Sequence, residues 1–104
     1  MDSLEEIYFN YNLAMNQARQ LDEVAGRLDK TANNDMERIL GEVSRAWKSQ
    51  QTAPQYIRKG QKVEGDIRTT AENLRNIATT IRTIAERVKA AELAAWEIAN
   101  ARNS

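Results

Sequence analysis

The sequence predicts an all-α protein, an antiparallel helical hairpin (helix-turn-helix) that completes a four-helix bundle by dimerisation. Three observations carry this reading. Two long stretches repeat apolar residues in alternating steps of three and four, the spacing that lines up one face of a helix. A single polar run, Lys48-Ser49-Gln50-Gln51, separates them. The lone proline, Pro54, follows closely on that run, where a first helical turn accepts it because its missing N–H would have had no partner.

The first helix is expected over about 4–46. Ser3 is a suitable N-cap, and Glu5 and Glu6 face the positive end of the helix dipole. Leu4, Ile7, Tyr11, Ala14, Ala18, Leu21, Ala25, Leu28 and Ala32 form the seam. Beyond Ala32 the register slips by one residue to Met36, Leu40, Val43 and Trp47, at Asn33-Asn34-Asp35, three poor helix formers in succession. The slip reads as a stutter within one long helix; the alternative is a break, with Asn34 or Asp35 capping a short third helix.

A bend is expected over about 47–53, then a second helix over about 54–101. Its seam reads Ile67, Thr70, Leu74, Ile77, Ile81, Ile84, Val88, Ala91, Ala95 and Ile98, with Ala71, Ala78 and Ala85 recurring every seven residues beside it. Small residues on a seam let helix axes approach closely. Gly60 lies seven residues before Ile67 and is placed to permit contact near the bend, with loop chemistry as the competing role. Two helices of this length would each run roughly 60–70 Å, with both termini at one end. Arg68, Arg75, Arg82 and Lys89 make a basic stripe on one flank, and Asp22 and Asp29 an acidic one, so an interhelical salt-bridge rail is expected.

Composition narrows the function. At 104 residues the chain is read as one domain, 1–104, whose two-helix hairpin buries a single seam, so self-association or a protein partner is expected. Fifteen basic and fifteen acidic residues balance, which argues against nucleic acid as partner. The halves differ: residues 1–46 hold nine acids and five bases (net −4), and residues 47–104 six acids and ten bases (net +4). No apolar run approaches the ~18 residues a membrane span needs, and the acidic N-terminus is unlike a cleavable signal peptide.

Chemistry is sparse. The chain has no His and no Cys, which removes the usual general base, thiol catalysis and most zinc sites. Glu5-Glu6 and Asp22-Glu23 are adjacent pairs that point to different helix faces. The expectation is no enzyme, no cofactor and no metal. Near the free end, Phe9 and Leu13 lie off the seam of the first helix, and Leu93 and Trp96 off that of the second. In an antiparallel hairpin the four come from one end and form an apolar patch suited to a partner, or fold over the end to protect it.

The length, the two amphipathic helices and a Trp at the bend resemble the WXG-motif family of small type VII secretion substrates. Trp47-Lys48-Ser49 stands at the motif, with Ser in place of the final Gly. The family's second export element, an aromatic followed four residues later by an acid, has its nearest counterpart in Val88 and Glu92, which keep the acid and lack the aromatic. The resemblance implies export without a cleavable signal peptide after a cytoplasmic stage, as a homodimer or a heterodimer with a related hairpin or the helical N-terminal domain of a secreted toxin. The broken second element suits a targeting partner carried out with another protein. An intracellular coiled-coil adaptor unrelated to secretion is the competing reading.

Overall fold

The computed structural model describes residues 3–46 and 53–102, and among them all regular structure is helical. Helix α1 covers Leu4–Lys30, a π-helical turn covers Thr31–Met36, α2 covers Glu37–Ala46 and α3 covers Ala53–Arg102. The chain falls into two compact units, one formed by residues 1–22 with 76–104 and the other by residues 23–75. The expected bend motif, Trp47, Lys48 and Ser49, lies outside the described residues.

The start of α1 follows from its capping residue. The Glu6 backbone N–H donates to Ser3 Oγ at 3.2 Å, which satisfies one of the otherwise unpaired first-turn donors, and the Ile7 N–H opens the helical ladder by donating to the Ser3 carbonyl at 3.0 Å. At the other end of the first limb, the register slip has a specific form. Lys30 and Glu37, on either side of the π turn, both keep right-handed helical angles, and no side chain caps the junction. The helix neither ends nor restarts at Asn33-Asn34-Asp35; it widens by one residue and continues. In α3, Pro54 occupies the first turn, where its fixed φ and absent N–H cost nothing.

In the unit of residues 1–22 and 76–104, the two limbs run antiparallel: Tyr11 meets Glu86, and Asp22 meets Arg82. Ile7, Ala18, Ala78 and Ala85 are buried between them. In the unit of residues 23–75 the limbs are again antiparallel, with Asp29 on Arg75, Glu37 on Arg68 and Leu40 beside Gly60. Ala25, Ala32 and Ala71 are fully buried there.

This burial pattern corrects the expected seam of α3. Ala71, Ala78 and Ala85, not the isoleucine row, form its centre, while Ile77, Ile84, Val88 and Ile98 are exposed. At about 100° per residue, the alanine row lies roughly 40° around the helix from Ile67, Leu74, Ile81 and Val88 and roughly 100° from Ile77 and Ile84. Each unit buries alanine on both of its limbs, and residues this small allow helix axes to approach closely. A larger side chain at the centre would hold them apart.

Gly60 takes the same logic one step further. A Cβ built there would stand 2.3 Å from Leu40 Cδ2 and 3.2 Å from Leu40 Cγ, so only glycine lets α3 meet the Leu40 side chain in this rotamer. Gly60 is therefore a close-approach residue inside α3, and the competing loop role falls away.

Gly60→Ala should lower the thermal midpoint, because overpacking costs about 1–3 kcal/mol against at most ~1 kcal/mol of gained helix propensity. Adding Leu40→Ala should recover the overpacking part. Gly65→Ala, where nothing lies within 4 Å, should raise the midpoint. Thermal circular dichroism of these variants beside the wild type measures all three effects.

Candidate functional site

The two edges of the alanine seam differ in chemistry, and the difference defines the candidate surface. One edge is charged. In the unit of residues 1–22 and 76–104, Arg82 pairs with Asp22, and Lys89 Nζ lies 3.9 Å from the centroid of the Tyr11 ring and 3.5 Å from Glu86 Oε2. In the unit of residues 23–75, Arg75 pairs with Asp29 and also lies 3.8 Å from Glu72. Arg68 donates to Asn33 Oδ1 at 2.9 Å, Glu37 Oε1 at 3.1 Å and Glu64 Oε2 at 3.2 Å.

The basic stripe at heptad spacing thus does form the expected rail. Most of these groups are partly exposed, so each pair is worth only a few tenths of a kcal/mol. Their effect is to set which flank of α3 turns toward the acidic flank of the first limb. Glu64 differs, being only 5% exposed. It continues the Ala71–Ala78–Ala85 row by one heptad, and the Arg68 guanidinium supplies the partner that a buried carboxylate requires.

The opposite edge is apolar and open. Leu21 and Ile81 in one unit, and Leu28 and Leu74 in the other, are half-buried at its margin. Beyond them Ile77 is 49% and Ile84 53% exposed, and Val63 and Ile98 are similarly bare. A groove of about 230 Å³ in the unit of residues 1–22 and 76–104 is bordered by Ile81, Ile84 and Val88 from this edge and by Tyr11 and Lys89 from the charged one. Ile7, Ala14, Ile81, Ile84 and Val88 form its floor, and Asn10, Tyr11, Lys89 and Glu92 its polar rim. It is smaller than typical small-molecule pockets and of a size to take one or two side chains of another helix.

The residues singled out from sequence fall in three places. Val88 and Glu92 both line the groove, Val88 exposed and Glu92 half-buried. Phe9, 67% exposed, and Leu13, 48% exposed, lie on the outer side of α1. Leu93 and Trp96 are half-buried on α3. The exposed Ile77–Ile84 row is legible as a periodic pattern, but hydropathy alone places it in the interior; the seven-residue alanine repeats in both limbs are the signal that another row occupies the centre.

The Tyr11, Glu86 and Lys89 cluster has no sequence signature, since Glu86 and Lys89 lie 75 and 78 positions from Tyr11. The Tyr11 hydroxyl donates to Glu86 Oε1. That bond is the main reason the Tyr11 phenol is held above its ordinary value of 10.0 and the Glu86 carboxyl below its ordinary 4.5. Burial adds to the rise at Tyr11, and Lys89 opposes it while helping to lower Glu86.

No family model matches the chain, and no curated protein or solved structure matches it. Among the described residues there is no group of three or more His, Cys, Asp or Glu placed to hold a metal ion, and no helix long and apolar enough to cross a membrane.

The cluster makes stability depend on pH in a defined direction. A depressed Glu86 contributes above about 4.5 and its contribution fades as pH falls through and below that value. A raised Tyr11 contributes below about 10.0 and its contribution fades as pH rises past that value. The difference in thermal midpoint between the wild type and Tyr11→Phe should be constant between these limits and shrink outside both. A difference that does not vary with pH would contradict the assignment.

Proposed function

We propose that this chain is a non-enzymatic helix-association protein of the WXG-like type, serving a type VII secretion system as an exported substrate or as targeting partner of a secreted toxin. The observation that carries the association part is the open apolar edge, above all Ile77 and Ile84 on α3. Fully burying an isoleucine is worth about 1.5–3 kcal/mol relative to leaving it exposed. The alanine seam offers only roughly 0.8 kcal/mol for each methyl group it covers, against about 1–2 kcal/mol of backbone entropy for each ordered residue. Covering the isoleucine edge with further helices stabilises both partners, and a four-helix arrangement is the natural result.

The secretion part rests on the resemblance at Trp47-Lys48-Ser49 and on the remnant Val88 and Glu92. Both remnant residues border the groove, so a partner docked there would cover or frame them. Phe9, Leu13, Leu93 and Trp96 give a second apolar contribution from the same unit.

In a producing organism with active type VII machinery, the wild type should be recovered outside the cell. Ile84→Asp should retain its far-UV helicity, lose association through the α3 edge, and fall in export. Trp47→Ala should also lower export with little loss of helicity. Retention of the wild type in the cytoplasm of that strain would overturn the secretion reading in favour of an intracellular adaptor.

A further inference from the structure

Resting on the reading of the α3 edge as an association surface, we propose that its occupant is a second copy of this chain, with α3 packed antiparallel on α3 and Asp66 of each copy opposite Arg87 of the other. The argument begins with the heptad positions of α3. Ile67, Leu74, Ile81 and Val88 occupy one core row, and Val63, Thr70, Ile77, Ile84 and Ala91 the other. The side of the second row that faces away from the alanine seam is bordered by Lys59, Asp66, Asn73, Thr80 and Arg87, seven residues apart. A helix laid against this edge would touch the second row and that border.

Two antiparallel copies can slide past one another only in steps of a heptad if core rows are to stay layered. In one register Ile67 meets Ile84, Leu74 meets Ile77, and Val63 meets Val88. Every contact occurs twice, because a two-fold interface repeats each pair. The same register sets Asp66 opposite Arg87 and Asn73 opposite Thr80. Moving one heptad in one direction brings Lys59 against Arg87, a like-charge contact, and Gly60 against Ile84. Moving one heptad the other way leaves Asp66 opposite Ala94 and replaces Ile67–Ile84 by Ile67–Ala91.

Only the first register pairs the large apolar side chains and the opposite charges together. Within the protein, neither Asp66 nor Arg87 takes part in an ion pair with another described residue. The other basic residues at heptad spacing, Arg68, Arg75, Arg82 and Lys89, are engaged on the charged edge. Asp66 and Arg87 sit beside the apolar edge, where an intermolecular pair would fix both direction and register.

Charge reversal on the full chain tests this by sedimentation equilibrium, with far-UV circular dichroism confirming that each variant is helical. The wild type should be a dimer of about twice 11.8 kDa. Asp66→Arg sets two positive side chains against each other at both symmetry-related contacts, and Arg87→Asp sets two negative ones there. Each should raise the dimer dissociation constant by about tenfold. The double variant Asp66→Arg/Arg87→Asp should recover wild-type affinity. An equimolar mixture of the two single variants should recover wild-type affinity as a mixed dimer, because each 66–87 contact then joins an arginine of one copy to an aspartate of the other.

Single variants that dimerise as tightly as the wild type would overturn the register, as would a double variant without recovery. A monomeric wild type would overturn self-pairing. If that monomer still bound its secreted partner in a manner sensitive to Ile84→Asp, the association reading would stand with a different occupant. Failure of both would remove that reading too.

Discussion

The burial of alanine on both limbs of the seam is the constraint on which the other features depend. Ala18, Ala25 and Ala32 on the first limb, and Ala71, Ala78 and Ala85 on α3, are buried in their respective units. Methyl groups bring the backbones together but cover little area. The larger apolar residues are consequently displaced to one side of the contact. A seam centred on isoleucine would have buried that row and exposed the alanines, leaving no apolar edge.

Close approach also makes the flanks matter. Because the buried centre is mostly alanine, the long side chains on either side decide the character of the two flanks. Arg82 and Asp22 in one unit, and Arg75 and Asp29 in the other, close one flank with charge. Arg68 spans the π turn by holding Asn33 within it and Glu37 just after it. Beyond this turn the extra residue has reset the face of the helix, so that α2 presents Leu40 to Gly60. The widened turn is thus the local means by which one limb keeps facing α3 after a change of register.

Much of this was legible in the residues. Ser3 as cap, Pro54 in a first turn, the basic stripe against Asp22 and Asp29, and the slip at Asn33-Asn34-Asp35 all rest on short-range rules, and each has its counterpart in the structure. The choice between two neighbouring rows with the same seven-residue period was not. Hydropathy favours isoleucine over alanine, whereas the distance between backbones favours the smaller residue, and only packing decides between them. The Tyr11 contact with Glu86 was likewise invisible, because it joins residues 75 positions apart. For the candidate surface, the Ile77–Ile84 row was visible as a pattern and its exposure was not. Trp47-Lys48-Ser49 lies outside the described residues and retains only its resemblance.

The measurement that bears most directly on the alanine-centred seam is the thermal midpoint of Ala78→Leu set beside that of Ile77→Ala. These adjacent residues point about 100° apart. If Ala78 is the close contact, leucine there overpacks the seam by about 1–3 kcal/mol, which lowers the midpoint by roughly 5–20 °C for a chain of this size. Ile77→Ala, on the open edge, should change the intramolecular fold much less when measured at concentrations too low for association. The reverse order, a tolerated Ala78→Leu and a damaging Ile77→Ala, would contradict the account and return the isoleucine row to the centre.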